Sequence, residues 1–491
     1  MRDIPIYQAY LEISNITMSE AKRKKSIILV SSIIVAIACI IPIYFAKSDI
    51  FFSANLKSYQ DQSKLKQGQY TLPSVKDNSL KVEQVTNGLS FPTSMAFIDN
   101  NNILVLEKNT GHVRLISNGI MQNQPVLKVR VNSENELGLL GIAILKDIDY
   151  KQIYNQEDVT KKKVANAVNN NTAGKTSEAN NTTNYAFLYF TEPKNNTNSE
   201  DMLRNSIYRY EWNGKSLVNP ALIFALPAKP GLYHDGGKLV IGPDNSLYAV
   251  IGDLNSIYGT AQNHDSRRES NGTSGILRIN PIIGSPVKDN PFIPQYSENN
   301  NTDNARLTPY YYAYGIRNSF GMAFDPVTRI LWDTENGEDK YDEINIVKPG
   351  FNSGWHKIMG PVSANKMTEK DLIRVPGSHY SDPVFSWYHP IGVTDIEFLK
   401  SSKLGEKYKN NIFVGDINNG NLYYFQLNDT RTGLKFNLSA LKDMVADNKN
   451  QLSGIIFASG FKGITDIQTG PDGYLYILSY LDGKLYRIVL S

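Results

Sequence analysis

One pattern recurs six times in this chain and constrains its fold more than any other feature. It is a turn rich in Asn, Asp, Pro or Gly followed at once by a short strand. The copies begin at Phe97 (FIDNNNILVLEKNTGHVRLI), Phe187 (FLYFTEP, leading to SIYRYEWNG), Gly242 (GPDNSLYAVIGD), Phe324 (FDPVTRILWDTENG), Lys407 (KYKNNIFVGDINNGNLYYFQL) and Gly470 (GPDGYLYILSYLDGKLYRIVL). Alternation at period two suits half-buried strands, and Gly, Pro, Asn and Asp supply the turns. Successive copies lie 90, 55, 82, 83 and 63 residues apart, a scatter that irregular loops explain. Helical periodicity is nearly absent. A strand pattern this long exceeds a sandwich of roughly 100 residues. Recurring units of a few strands indicate a β-propeller, whose radial closure leaves few exposed edges. The expected fold is all-β: a six-bladed β-propeller over residues 79–491, preceded by one N-terminal transmembrane helix.

That helix is read from Ser26 to Ala46, 21 residues without a charge. About 20 apolar residues suffice to span a bilayer. Lys22, Arg23, Lys24 and Lys25 precede the run, so the positive-inside rule puts residues 1–25 in the cytoplasm and everything after Lys47 outside. The expectation is a single-pass cell-membrane protein with its large domain extracytoplasmic. A cleaved signal peptide competes with an uncleaved anchor; the run is long and no clear small-x-small site follows it. Residues 47–78 read as a polar linker. Residues 147–183, with Lys161-Lys162-Lys163 and two Asn/Thr tracts, lack a core-forming pattern and read as a disordered insertion. Glycosylation sequons at Asn170, Asn180, Asn181, Asn195, Asn271, Asn300, Asn428 and Asn437 agree with export, although an Asn-rich chain makes sequons by chance. The net charge of +3 gives no basic field for nucleic acid, and Cys39, the only cysteine, cannot form an intrachain disulfide.

The stretch LYHDGGKLVIGPDNSLYAVIGD, Leu232 to Asp253, folds on paper as a hairpin with His234 and Asp253 at the same end. A histidine before one strand and an aspartate after its partner can form a general base and its orienting carboxylate. The competing reading is a turn histidine beside an unrelated aspartate.

Other motifs accompany it in order: GLLGIAI at 138–144, GILRINP at 275–281, DNPF at 289–292, YGIRNSFGMAFDP at 314–326 and ENGEDKYDEINIVKPGFNSGW at 335–355. Together they resemble the glucose/sorbosone dehydrogenase family, the soluble quinoprotein sugar dehydrogenases, over roughly 82–490. The resemblance implies a six-bladed propeller binding calcium and pyrroloquinoline quinone (PQQ). A sugar's anomeric carbon would be oxidised to a lactone, with electrons passed to an external quinone or cytochrome. It assigns His234 as the proton acceptor, Asp253 as its carboxylate, and Arg317 and Asn318 as the pair beside the cofactor. Glu136 would be a polar residue facing the site. Gly337 and Glu338 would offer carbonyls to the cofactor calcium, and Glu343 would serve a second, structural calcium. The alternative for that segment is a plain acidic turn, with Glu335, Glu338, Asp339, Asp342 and Glu343 crowding one solvent-facing loop. Trp387, Tyr388 and His389 stand where the family lines the sugar site.

The chemistry suits these types. A neutral imidazole accepts a proton near pH 7, its carboxylate neighbour stabilises the imidazolium, and a guanidinium stabilises charge developing on an ortho-quinone oxygen. The chain also departs from the family. Asn418 stands near an expected fifth-blade lysine, and Gly463 and Thr465 stand where sixth-blade arginines are expected, with Lys462 close by. Each lost charge-assisted hydrogen bond to a tricarboxylate costs roughly 1.5–3 kcal/mol. A cofactor-free propeller serving as a surface binding or adhesion module is therefore a second reading, and a calcium-dependent lactonase-type hydrolase a third.

Overall fold

In the computed structural model the described residues are 72–149, 182–193, 203–257, 259–264, 270–293, 308–436 and 439–491. They are almost wholly β-structure, arranged like a propeller. Their strands form six separate sheets, each an antiparallel meander at its centre. The first strands of the meanders are Pro92–Phe97, Leu139–Asp149, Leu239–Ile241, Gly321–Phe324, Val393–Phe398 and Ile464–Thr469. Each lies beside the next in this order, and the last returns to the first. Each turn–strand copy read from the sequence falls on the second strand of a different sheet, for example Asn102–Glu107 and Leu475–Ser479.

The apolar side chains of these strands meet between neighbouring sheets. Tyr185, Phe187 and Tyr189 of one sheet pack on Leu239, Leu247, Ala249 and Leu277 of the next. Further round, Trp332 and Phe385 pack on Ile396, Ile412 and Val414. All are buried because each sheet has both faces covered, which explains strands that are apolar at nearly every position, such as Leu247–Ile251 and Ile412–Asp416.

Both edges of the domain are closed by pairing distant segments. Leu80–Thr86 runs antiparallel to the C-terminal strand Lys484–Leu490. Ser74–Val75 pairs with Ile456–Ser459. Regular structure thus begins ahead of Leu80, inside the segment read as linker, because two residues suffice to satisfy an exposed strand edge. The expected insertion is also narrower than its sequence bounds. Leu139–Asp149 and Thr182–Glu192 carry strand pairing into both its margins, with Asp149 opposite Thr182. The rest of it lies outside the described residues, as do the expected cytoplasmic tail, the Ser26–Ala46 span and most of the linker. Among the described residues no helix is long and apolar enough to cross a membrane.

Candidate active site

His234 lies in the loop that enters the inner strand Leu239–Ile241, and Asp253 follows the second strand Leu247–Ile251. The hairpin closes the two to 2.6 Å, His234 Nδ1 to Asp253 Oδ1. A carboxylate only accepts, so Nδ1 carries the proton and Nε2 is left as the basic nitrogen. His234 is a non-glycine residue with φ of 65°, a conformation that persists only where surroundings enforce it. Here the enforcement is visible: its backbone N–H donates to Glu136 Oε2 at 2.7 Å. Gly252 supplies the closeness. A Cβ there would stand 2.5 Å from the His234 carbonyl oxygen and 2.4 Å from that of Arg317. Gly141, from the GLLGIAI motif, acts similarly; its Cβ would lie 1.9 Å from the Gly237 carbonyl oxygen. That glycine therefore lets one sheet's inner strand touch the loop carrying His234.

Asp253 is buried at 3% exposure and fully engaged. Its Oδ1 also accepts from the Asn255 amide at 2.7 Å, and its Oδ2 from Trp355 Nε1 at 2.7 Å. Its own amide donates to the Arg317 carbonyl at 2.9 Å. Arg317 is thus tied to the acid–base pair through the backbone. Its amide donates to Glu335 Oε1 at 2.7 Å, its Nη1 to the Asn336 carbonyl at 3.2 Å, and its guanidinium lies 5.4 Å from the Trp355 ring centre. Asn318 Nδ2 donates to Glu136 Oε2 at 3.3 Å. The structure brings His234, Asp253, Arg317, Asn318 and Glu136 together in one cluster.

Two buried polar atoms of this cluster find no hydrogen-bond partner: Arg317 Nε and Asn318 Oδ1. Orphaned buried donors and acceptors are costly unless something satisfies them. The Arg317 donor fits an anionic, carbonyl-bearing group such as PQQ, and the Asn318 oxygen fits an N–H on the same ligand.

The residues expected to face them are less apt. Asn418 is exposed and neutral, and Lys462 is exposed. Thr465 donates its hydroxyl to the Pro92 carbonyl at 2.9 Å, so that proton is spent on the scaffold. Among the expected sugar contacts, Trp387 is corrected. It is 1% exposed and packs on Phe385 at 4.9 Å and Tyr423 at 5.5 Å. As the strand residue facing between sheets it serves the core. Tyr388 is half-buried and His389 exposed, with ring centres 4.8 Å apart.

The acidic segment is not one solvent-facing turn. Glu335, Asp342 and Glu343 are buried in strands, while Glu338 and Asp339 are exposed. Register decides this, because Glu335 stands opposite Glu343 across a strand pair. Burial, with Glu335 nearby, holds the Glu343 carboxyl well above the usual carboxylate range. Its oxygens accept from the Gly360 amide and from Asn345 Nδ2. Asp342 Oδ2 accepts from three consecutive amides, Ile391, Gly392 and Val393, and Oδ1 from the Gly337 amide at 3.0 Å. It therefore pins the Gly337 loop to the next sheet. Among the described residues no group of three or more His, Cys, Asp or Glu is arranged to hold a metal.

Several residues around the pair carried no role in the sequence reading. Asp235, next to His234, is buried; it accepts from Asn205 Nδ2 at 2.7 Å, and burial pushes its carboxyl up to about 7. Lys108 donates to the Asn135 carbonyl at 2.7 Å, and burial lowers its amine to about 8. Glu335 is likewise raised to about 7, mainly by burial. Trp355 closes a motif quoted from the sequence, but no spacing rule links it to Asp253, 102 positions away. A cavity of about 630 Å³ lies at the other ends of the inner strands, lined by Phe97, Ile144, Ile241, Phe324 and Thr469, and His234 takes no part in it.

Comparison with known proteins follows the same lines. An uncharacterised protein of Synechocystis sp. is 24% identical over 421 residues, 83% of this chain and 86% of its own. Aldose sugar dehydrogenase YliI of Escherichia coli is 30% identical over 258 residues, 52% of this chain and 60% of its own. The PQQ-bound aldose sugar dehydrogenase of Streptomyces coelicolor shares the fold at TM-score 0.55 and 20% identity, over 86% of this chain and all of that one. The family model of glucose/sorbosone dehydrogenases matches residues 89–487; this chain therefore belongs to the glucose/sorbosone dehydrogenase family.

Proposed function

We propose that the protein is a quinoprotein oxidoreductase that oxidises the anomeric CH–OH of an aldose to a lactone. The observation that carries this reading is the 2.6 Å contact of His234 Nδ1 with Asp253, beside an Arg317 whose Nε has no partner. Relatives that are aldose sugar dehydrogenases support it. The six sheets are read as six blades of one closed propeller, with the site at the ends where the inner strands begin.

In this reading His234 Nε2 takes the proton of the sugar hydroxyl. Asp253 keeps the imidazole in the tautomer that can do so and stabilises the imidazolium. PQQ bound beside Arg317 would supply an ortho-quinone, the hydride acceptor of this chemistry. Arg317 would stabilise negative charge on such a group, and Asn318 and Glu136 hold the loop that presents His234. Tyr388 and His389 border the sugar. Calcium would be held by the carbonyls of Gly337 and Glu338, oxygen donors of the type it accepts, with Glu343 at a second ion. An anchor at Ser26–Ala46 would hold the enzyme on the extracytoplasmic face of the cell membrane, where sequon glycosylation and electron transfer to an external quinone or cytochrome take place.

The second reading is a cofactor-free propeller that binds partners at the cell surface. It is favoured by Asn418 and Thr465, which bring no charge, and by Lys462, which is exposed. Calcium and PQQ added to the purified protein distinguish the two. Binding at micromolar PQQ, with the quinone absorbance bleached by aldoses, is expected; no binding at that concentration removes the dehydrogenase reading.

A further inference from the structure

We propose that Trp355 is a positioning residue that couples the proton-accepting pair to the guanidinium; its part in turnover rests on the dehydrogenase reading above. Trp355 is the one side chain in the described site that touches both halves. Its indole N–H donates to Asp253 Oδ2 at 2.7 Å, and its ring lies under Arg317 at 5.4 Å. The backbone fixes the ring from two directions. The Trp355 amide donates to the Gly315 carbonyl at 2.9 Å, and Asn263 Nδ2 donates to the Trp355 carbonyl at 2.8 Å. The side chain is 9% exposed.

The physical consequence is twofold. Asp253 Oδ1 is held by His234 and by the Asn255 amide, but its Oδ2 has only the indole, and without that bond the carboxylate can twist about its Cβ–Cγ bond and loosen the contact with His234. The indole bond to Oδ2 completes the restraint and drains negative charge from the carboxylate. The ring face gives the Arg317 guanidinium a surface to rest on, which restrains it beside the pair while its Nε stays unpaired. The other charged and titratable groups around this arrangement are Glu136 at the His234 amide, Glu335 at the Arg317 amide, Lys108 beside Glu136, and buried Asp235, next to His234 in the chain and feeling the charges of Glu136 and Lys108.

The test needs no cofactor at its core. In full-length protein with ¹³C-labelled histidine, the six imidazoles are titrated by NMR, and His234→Ala assigns the resonance of interest. Trp355→Phe keeps the ring but removes the donor. Asp253 then attracts the imidazolium more strongly, and the His234 midpoint is expected to rise by roughly 0.5 pH unit or more. A midpoint within about 0.2 unit of the parent in a folded variant overturns the proposal. Should Trp355→Phe fail to fold, the unaltered protein carries the test through its ¹⁵N-labelled indoles. One of the four tryptophan N–H resonances is expected to titrate with His234 and to stop titrating in His234→Ala; if none does, the coupling is absent.

With PQQ and aldose present, Trp355→Phe should lower kcat about tenfold, leave KM within about twofold, and move the acid limb of the rate profile upward. Trp355→Leu should also weaken PQQ about tenfold, through loss of the surface beneath Arg317. A parent protein that binds no PQQ refutes the dehydrogenase reading, while the two titrations still decide the role of Trp355.

Discussion

At the scale of the residue, the site is a set of buried groups whose charges are balanced by neighbours rather than by water. His234 is the clearest case, because both its ring and its backbone N–H are held by carboxylates. His234→Ala is expected to reduce turnover by about 10²–10⁴-fold while leaving PQQ bound, since Arg317 and Asn318 are untouched. Retained turnover, measured by dye reduction, would remove His234 from the reaction. Asp235 offers a test through pH. Its carboxyl is raised from 3.8 to about 7 by burial. The folded protein keeps a proton there that the unfolded chain has released, so this group's stabilisation is full below pH 3.8 and is lost as pH rises through 7. Asp235→Asn keeps an acceptor for Asn205 and should flatten that loss, which is about 4 kcal/mol over the whole range and about 2–3 kcal/mol between pH 5 and pH 8. Urea unfolding at pH 5 and pH 8 checks it: an unchanged difference between the two pH values in the variant would show that Asp235 is not the group responsible. His234 and Asp253 were legible because both sit at one end of a hairpin with a recognisable turn. Asp235, Lys108 and Trp355 were not, since their partners lie 30, 27 and 102 positions away in the chain.

At the scale of the element, the hairpin from Leu232 to Asp253 works because glycine removes side chains where backbones must meet. Gly252→Ala would place a methyl within 2.5 Å of two carbonyl oxygens, one on His234 and one on Arg317. The expected cost is about 1–3 kcal/mol, with the His234–Asp253 contact lengthened. Lower thermal stability together with a reduced kcat is the expected pair of results; a variant with parental stability would mean the loop relaxes freely. The alternation that marked strands was readable wherever turns punctuated it. What misled was the acidic run from Glu335 to Glu343. Read as a line of letters it is one charged turn, but strand pairing turns Glu335 and Glu343 inward and leaves Glu338 outside. Trp387 was misread for the same reason, its side chain falling on the face between sheets.

At the scale of the whole molecule, the sheets are tied across their centre by a buried cation. Lys238, preceding one inner strand, lies 2.8 Å from Asp395 Oδ1 and 3.0 Å from Asp466 Oδ1, on two other inner strands. Asp466 Oδ2 accepts in turn from Ser94 Oγ and the Met95 amide. Four sheets thus share one charge cluster. Lys238→Met leaves two carboxylates buried without their cation, and a loss of about 3–5 kcal/mol is expected. Denaturant unfolding measures it, and a loss below about 1 kcal/mol would mean water already solvates the cluster.

The letters of this chain determined the recurring strand unit, its turns and the motifs that group it with sugar dehydrogenases, because periodicity and turn chemistry are local properties. The tertiary structure alone decided which acids are buried, which tryptophan holds the carboxylate of the base and which cation joins the sheets. Those outcomes depend on register and on contacts between segments far apart in sequence, which no local pattern encodes.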